Sequence, residues 1–166
     1  MPLKDRISSQ ILTHYPKDAT IAVTITRREA WCERGGSRMV VPEAVEVLIE
    51  EIAFAARESD LVDQISGVSA RVPIAVMEFL VSNLARRSLV AGKVPVYPRL
   101  VDVHVLLPAI TDKVEMVCEG EQKGPEVGVC TLIGEAVKRH FLASFPAIRR
   151  EVGTAEDKGP YVPIVA

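Results

Sequence analysis

Arg71 is the residue whose setting most invites chemistry, because it directly precedes Val72-Pro73 and a long apolar stretch. Proline fits the first turn of a helix, where its missing N–H costs nothing, so Arg71 belongs at or beside the amino end of a helix. A cation there opposes the helix dipole by about 0.3–1 kcal/mol. An anion would be drawn both to the guanidinium and to the free N–H groups of the first turn. Two readings fit this position: a phosphate contact, or an exposed arginine in a weak surface pair with Asp60 or Asp63.

Elsewhere the spacing needed for chemistry is missing. The Gly92-Lys93 pair lacks both the upstream glycine and the following Ser or Thr of a phosphate loop, with Arg87 and Val94 standing there instead, so it reads as a helix end. Glu50-Glu51 follows the apolar run Val47-Leu48-Ile49, but the apolar positions around it keep helical period, so the pair is expected on a solvated helix face. Glu119, Glu121 and Glu126 bracket glycines that are misplaced for a calcium loop, and Lys123 interrupts their charge. No Ser, Cys or Lys has a neighbouring base to activate it. His14, His104 and His140 have no His or Cys three or four residues away, so zinc-type spacing is missing. Cys32, Cys118 and Cys130 contain no CxxC pair and read as reduced structural thiols. Trp31, Tyr15 and Phe79 read as core or interface aromatics, since no basic groove surrounds them in sequence.

The elements that must hold these residues follow from a chain of 166 residues, 48% hydrophobic and 25% charged, which suits one compact domain. Its formal net charge of -2 disfavours a polyanion as the main partner. The apolar stretch 72–84 is too short to span a bilayer and the polar first residues do not form a signal peptide, so a cytoplasmic location is expected. Apolar periodicity predicts helices over 3–12, 43–58, 72–91, 99–107 and 126–144, with at most a small strand at 113–118. Gly92 is placed to end the long helix, Pro108 to stop or kink the next, and residues 32–39 to form a loop. Residues 18–31 alternate Ile21, Val23 and Ile25 like a strand yet continue into good helix formers, which leaves periodicity undecided. No internal repeat is present.

Three stretches carry a resemblance: Leu3-Lys-Asp-Arg-Ile-Ser-Ser-Gln-Ile-Leu-Thr-His-Tyr-Pro16, Ser66-Gly-Val-Ser-Ala-Arg71, and Pro108-Ala-Ile-Thr-Asp-Lys-Val-Glu-Met-Val-Cys-Glu-Gly-Glu-Gln122. In order and spacing they resemble the carboxy-terminal half of magnesium-chelatase-like AAA+ ATPases, relatives of the chelatase motor subunit and of MoxR-type ATPases. The resemblance implies a mainly α fold, a helical bundle of the AAA+ lid kind. It divides the chain into the end of a core domain over 1–16, a helical lid and carboxy-terminal region over 17–150, and an extended tail over 151–166. It also favours helix for 18–31. Arg71 matches the second sensor arginine, which reaches from the lid onto nucleotide phosphate. Arg6 matches the element at the end of the ATPase core, where an arginine of relatives acts on the neighbouring subunit's nucleotide; a structural role through Asp5 or Gln10 stands beside that reading.

Relatives carry their phosphate loop, acidic Mg²⁺-binding strand and first sensor ahead of this region, and those elements are not in the chain. The resemblance therefore implies a lid-side portion that uses ATP and Mg²⁺ in the complete motor and binds no nucleotide tightly alone. Its expected partners are an AAA+ core domain, neighbouring subunits of a ring and a remodelled or metal-loaded protein. The competing expectation is a freestanding helical interaction module with no nucleotide role.

Overall fold

The computed structural model describes residues 11–34, 37–92, 95–117 and 124–145. These residues form a mainly helical bundle. Its elements are α1 (Ala19–Glu29), a two-residue antiparallel hairpin of β1 (Glu33–Arg34) and β2 (Ser37–Arg38), α2 (Glu43–Glu58), α3 (Arg71–Ala91), a 3-10 helix (Leu100–Leu106), α4 (Leu107–Thr111) and α5 (Pro125–Ser144).

Helix α1 begins where the Asp18 carboxylate accepts the Ile21 N–H at 2.9 Å. It buries Ala22, Val23 and Thr26, and leaves Ile21 and Ile25 substantially exposed. The strand-like alternation is thus resolved as helix, because the buried positions follow one helical face rather than every second residue.

Helix α2 has Pro42 at its amino cap, one position ahead of the first turn. It packs against α1, α3 and α5 and buries Leu48, Ile49, Ile52, Ala53, Ala55 and Ala56. Small residues along that face let neighbouring helices approach from several sides. Helix α3 buries Val72, Pro73, Val76, Met77, Leu80, Val81 and Leu84, so its first half is enclosed as its dense apolar sequence predicts. Gly92 ends it in the left-handed conformation, φ 60°, which a residue with a Cβ rarely adopts.

The segment predicted as one helix over 99–107 is instead a 3-10 helix running into α4. Pro108 does not stop the chain there; it occupies the first turn of α4, where no N–H is required of it. The expected loop over 32–39 contains the short hairpin. The strand expected near residue 116 is a single antiparallel bridge, Val62 to Met116, flanked by Asp63 N–H to Glu115 O at 2.8 Å and Val117 N–H to Leu61 O at 2.9 Å. Helix α5 buries Val129, Leu132, Ile133 and Ala136, while Phe141 is half exposed and stacks on Phe145 at 4.6 Å between ring centroids. Residues 11 and 12 are non-helical and exposed, and the rest of the helix expected over 3–12 lies outside the described residues. No helix of the described residues is long and apolar enough to cross a membrane.

Candidate functional site

The turn preceding α3 is built before its arginine is placed. Asp63 organises it: Oδ1 accepts the Ile65 N–H at 2.8 Å, its carbonyl accepts the Gly67 N–H at 3.0 Å, and Oδ2 lies 3.2 Å from the Ser66 hydroxyl. Glu115, from the strand-like segment beyond α4, also meets the Ser66 hydroxyl. Gly67 has φ 69°, a left-handed conformation that favours glycine, and a Cβ there would sit 2.9 Å from the Tyr15 hydroxyl, which would have to shift. Val68 is buried in the core, and its carbonyl faces Arg57 Nε at 3.5 Å.

Ser69 then starts the helix. Its hydroxyl accepts the Arg71 N–H at 3.2 Å and its carbonyl accepts the Val72 N–H at 3.0 Å. Pro73 has no N–H, so of the positions Ala70 to Pro73, whose N–H groups a helix start leaves without an intrahelical partner, two are met by Ser69 and one carries no donor. The expected attraction of an anion to several first-turn N–H groups is therefore narrowed: Ser69 already accepts two of them and Pro73 has none, and the cation at this end is the Arg71 guanidinium. That side chain is exposed at the first residue of α3. Among the described residues, no carboxylate lies within ion-pair distance of it, so the pairing with Asp60 or Asp63 is not formed. Asp63 is engaged by the turn instead.

Arg6 lies outside the described residues, so nothing in the described structure brings it toward Arg71. Glu50 departs most from its sequence reading. It is buried, 2% exposed, and accepts the Thr26 hydroxyl at 2.5 Å across the α1–α2 interface. Helix α2 is covered on more sides than its amphipathic pattern suggests, and Glu50 lies on the side taken by α1. Burial holds its carboxyl above the ordinary carboxylate value, while the Thr26 hydrogen bond and the positive charge of Arg57 act in the opposite direction. Glu51 is only partly buried and faces His140 Nδ1 at 3.1 Å. Among the described residues no cluster of three or more His, Cys, Asp or Glu side chains could hold a metal ion.

Tyr15, Trp31 and Phe79 are each about half exposed or more, so none is a core aromatic. The Tyr15 ring instead covers the Arg57 guanidinium, 4.3 Å from its centroid. Cys130 is exposed rather than structural, and Cys32 is half-buried.

A second group of cations went unnoticed in the sequence. Arg86, Arg87 and Arg99 line one cleft at the opposite end of α3, and Asp102 is buried among their supports. The signal was present as the pair Arg86-Arg87 near a helix end and as Asp102 three residues after Arg99, an acid spaced to cap a helical turn.

The fold and its candidate sites define a helical bundle with a free cation at the amino end of its longest described helix. No protein-family model, curated protein or solved structure matches the chain.

Proposed function

We propose that the chain is the lid-side portion of an AAA+ ATPase of the magnesium-chelatase type, contributing a sensor contact through Arg71 and an intersubunit contact through Arg6 to ATP-driven remodelling of, or metal insertion into, a partner protein. The observation that carries this reading is the state of Arg71: exposed, without a carboxylate partner among the described residues, on a helix start held in place by Gly67, Ser69 and Pro73. A guanidinium left free on a rigid mount is suited to meet a phosphate bidentately.

The residues present fit part of a nucleotide site. Arg71 supplies a cation for phosphate, the capped first turn supplies little backbone donation, and no described acidic cluster holds a cation. ATP and Mg²⁺ would then be held chiefly by a core domain bearing a phosphate loop, with Arg71 closing over the phosphates. The Mg²⁺ would supply charge neutralisation of phosphate; this chain's part is to present the guanidinium and to keep it from local carboxylates.

Joined to its ATPase core, the Arg71→Ala protein should lose about ten- to a hundredfold in ATP turnover, the size of a charge-assisted contact. Arg71→Lys should recover only part of it. Unchanged turnover in the alanine protein would remove the sensor role. For the isolated chain, no ATP turnover above a blank is expected, and micromolar ATP binding abolished by chelating Mg²⁺ would contradict the proposal. Upstream coding sequence or an adjacent reading frame with a phosphate loop is the cheapest check.

A freestanding interaction module is the second reading. Leu89 and Val90 at the end of α3 are 85% and 83% exposed, and Leu100 and Val101 at the start of the 3-10 helix are also open, apolar surface a partner could cover.

A further inference from the structure

The carboxyl end of α3 and residues 95–99 flank an open cleft of about 540 Å³, lined by Arg86, Arg87 and Val90 on one side and by Tyr97, Pro98 and Arg99 on the other. That size suits a small organic ligand. Arg86 lies fifteen residues along α3 from Arg71, about 22 Å at the rise of an α-helix, so the cleft is separate from the amino-end site.

One buried carboxylate ties the two walls together. Asp102, 4% exposed, accepts the Asn83 side-chain amide at 2.8 Å and the Arg99 backbone N–H at 2.7 Å, and pairs with Arg87 Nη1. Asn83 passes the order on, its Oδ1 accepting Arg86 Nη2 at 3.0 Å. Arg87 and Arg86 are therefore each held by one nitrogen and keep their remaining N–H groups for another acceptor. The Arg99 side chain has no carboxylate partner among the described residues, and neither has Arg86.

The charge balance names the ligand class. Three arginines line the cleft, and the one carboxylate that meets any of their guanidiniums, Asp102, is already committed to Arg87. The uncompensated charge of two matches a phosphomonoester, which carries about −1.5 to −2 at neutral pH. The α3 carboxyl end opposes an anion with only about half a charge, so the arginines prevail. Beside them the Tyr97 ring is 56% exposed and Pro98 stands next to it, giving a flat apolar wall for the body of the ligand.

We infer that this cleft binds a small organic phosphomonoester, its phosphate held by Arg86, Arg87 and Arg99 and its body lying against Tyr97. Nothing in this rests on the role of Arg71.

Calorimetric titration of the purified full chain at low ionic strength tests it, with AMP as the probe, adenosine as the uncharged control, and inorganic phosphate and a phosphoserine hexapeptide as further arms. AMP should bind saturably below millimolar concentration and adenosine should not. Arg86→Ala and Arg99→Ala should each weaken AMP binding about tenfold or more, and lysine at either position should restore part. Both residues are exposed, so folding is preserved, and unfolding midpoints verify this. Arg71→Ala and removal of Mg²⁺ should leave the affinity unchanged, which separates this cleft from the proposed sensor. Tighter binding of AMP than of the hexapeptide would support a small-molecule source, and the reverse would overturn it in favour of a modified protein. Adenosine binding as tightly as AMP, no saturation at millimolar AMP, or undiminished affinity in both alanine proteins would overturn the site.

Discussion

Two buried carboxylates in this bundle are treated in opposite ways. Asp102, at the junction of residues 95–99 with the 3-10 helix, receives an amide, a guanidinium and a backbone N–H, so both of its oxygens are engaged. Glu50, in the middle of α2, receives one hydroxyl among the described residues, and the positive charge that acts on it, Arg57, stands two helical turns along the same helix. Burial then dominates at Glu50 and pushes its carboxyl upward, with hydrogen bonding and charge only partly offsetting it. A buried acid is thus defined less by its depth than by the number and charge of the donors that reach it. Asp102 fixes the geometry of a cleft, whereas Glu50 is a site of stored electrostatic cost between α1 and α2.

Removing Asp102 should have the largest effect. Asp102→Ala leaves Asn83, Arg87 and the Arg99 N–H without their common acceptor, and should cost about 3 kcal/mol, the low end for a broken buried pair because Arg87 keeps partial exposure. Chemical denaturation would measure it, and a loss under about 1 kcal/mol would show that water replaces the carboxylate at little cost.

Thr26→Val comes next. It conserves volume while deleting the one hydrogen bond that Glu50 receives among the described residues, and should cost about 1–3 kcal/mol at neutral pH. A neutral outcome would mean that Glu50 finds another donor, and the contrast with Asp102 would disappear.

Glu50→Gln is expected to be the mildest of the three, and its sign depends on pH. The folded carboxyl holds its proton more tightly than the unfolded one, so Glu50 favours folding most below the unfolded carboxyl value and loses that advantage as pH rises through the raised folded value. Glutamine can still accept the Thr26 hydroxyl and carries no charge. The stability difference between the glutamine protein and the wild type should therefore move in favour of glutamine on going from acid to neutral pH. Denaturation midpoints of both proteins across that range would reveal it. Parallel pH profiles would show that Glu50 is as well compensated as Asp102.

Arg71→Ala should barely register in the same assay, within about 0.5 kcal/mol, since the guanidinium is exposed and has no described carboxylate to lose. A large fall in its unfolding midpoint would make Arg71 a structural residue and leave the lid proposal without its main support.

Much of this molecule was legible in its residues. Apolar period placed α2 over the observed residues, α3 and α5 within one residue at an end, and Gly92 at the close of α3, because local backbone preferences and a one-sided apolar pattern are properties of short windows. Pro73 placed Arg71 at a helix start for the same local reason. What the sequence could not decide was coverage and partnership. Glu50 occupies a helical position that looks solvated until α1 is laid over it, and Thr26, which makes its burial tolerable, stands twenty-four residues away. Arg71 is without a carboxylate, and Asp102 has three donors, because the turn at residues 63–69 and the packing of residues 95–102 on α3 distribute those groups in space. Local propensity fixes which residues share a helix face; only the packing of helices fixes which face meets water and which charge meets its partner.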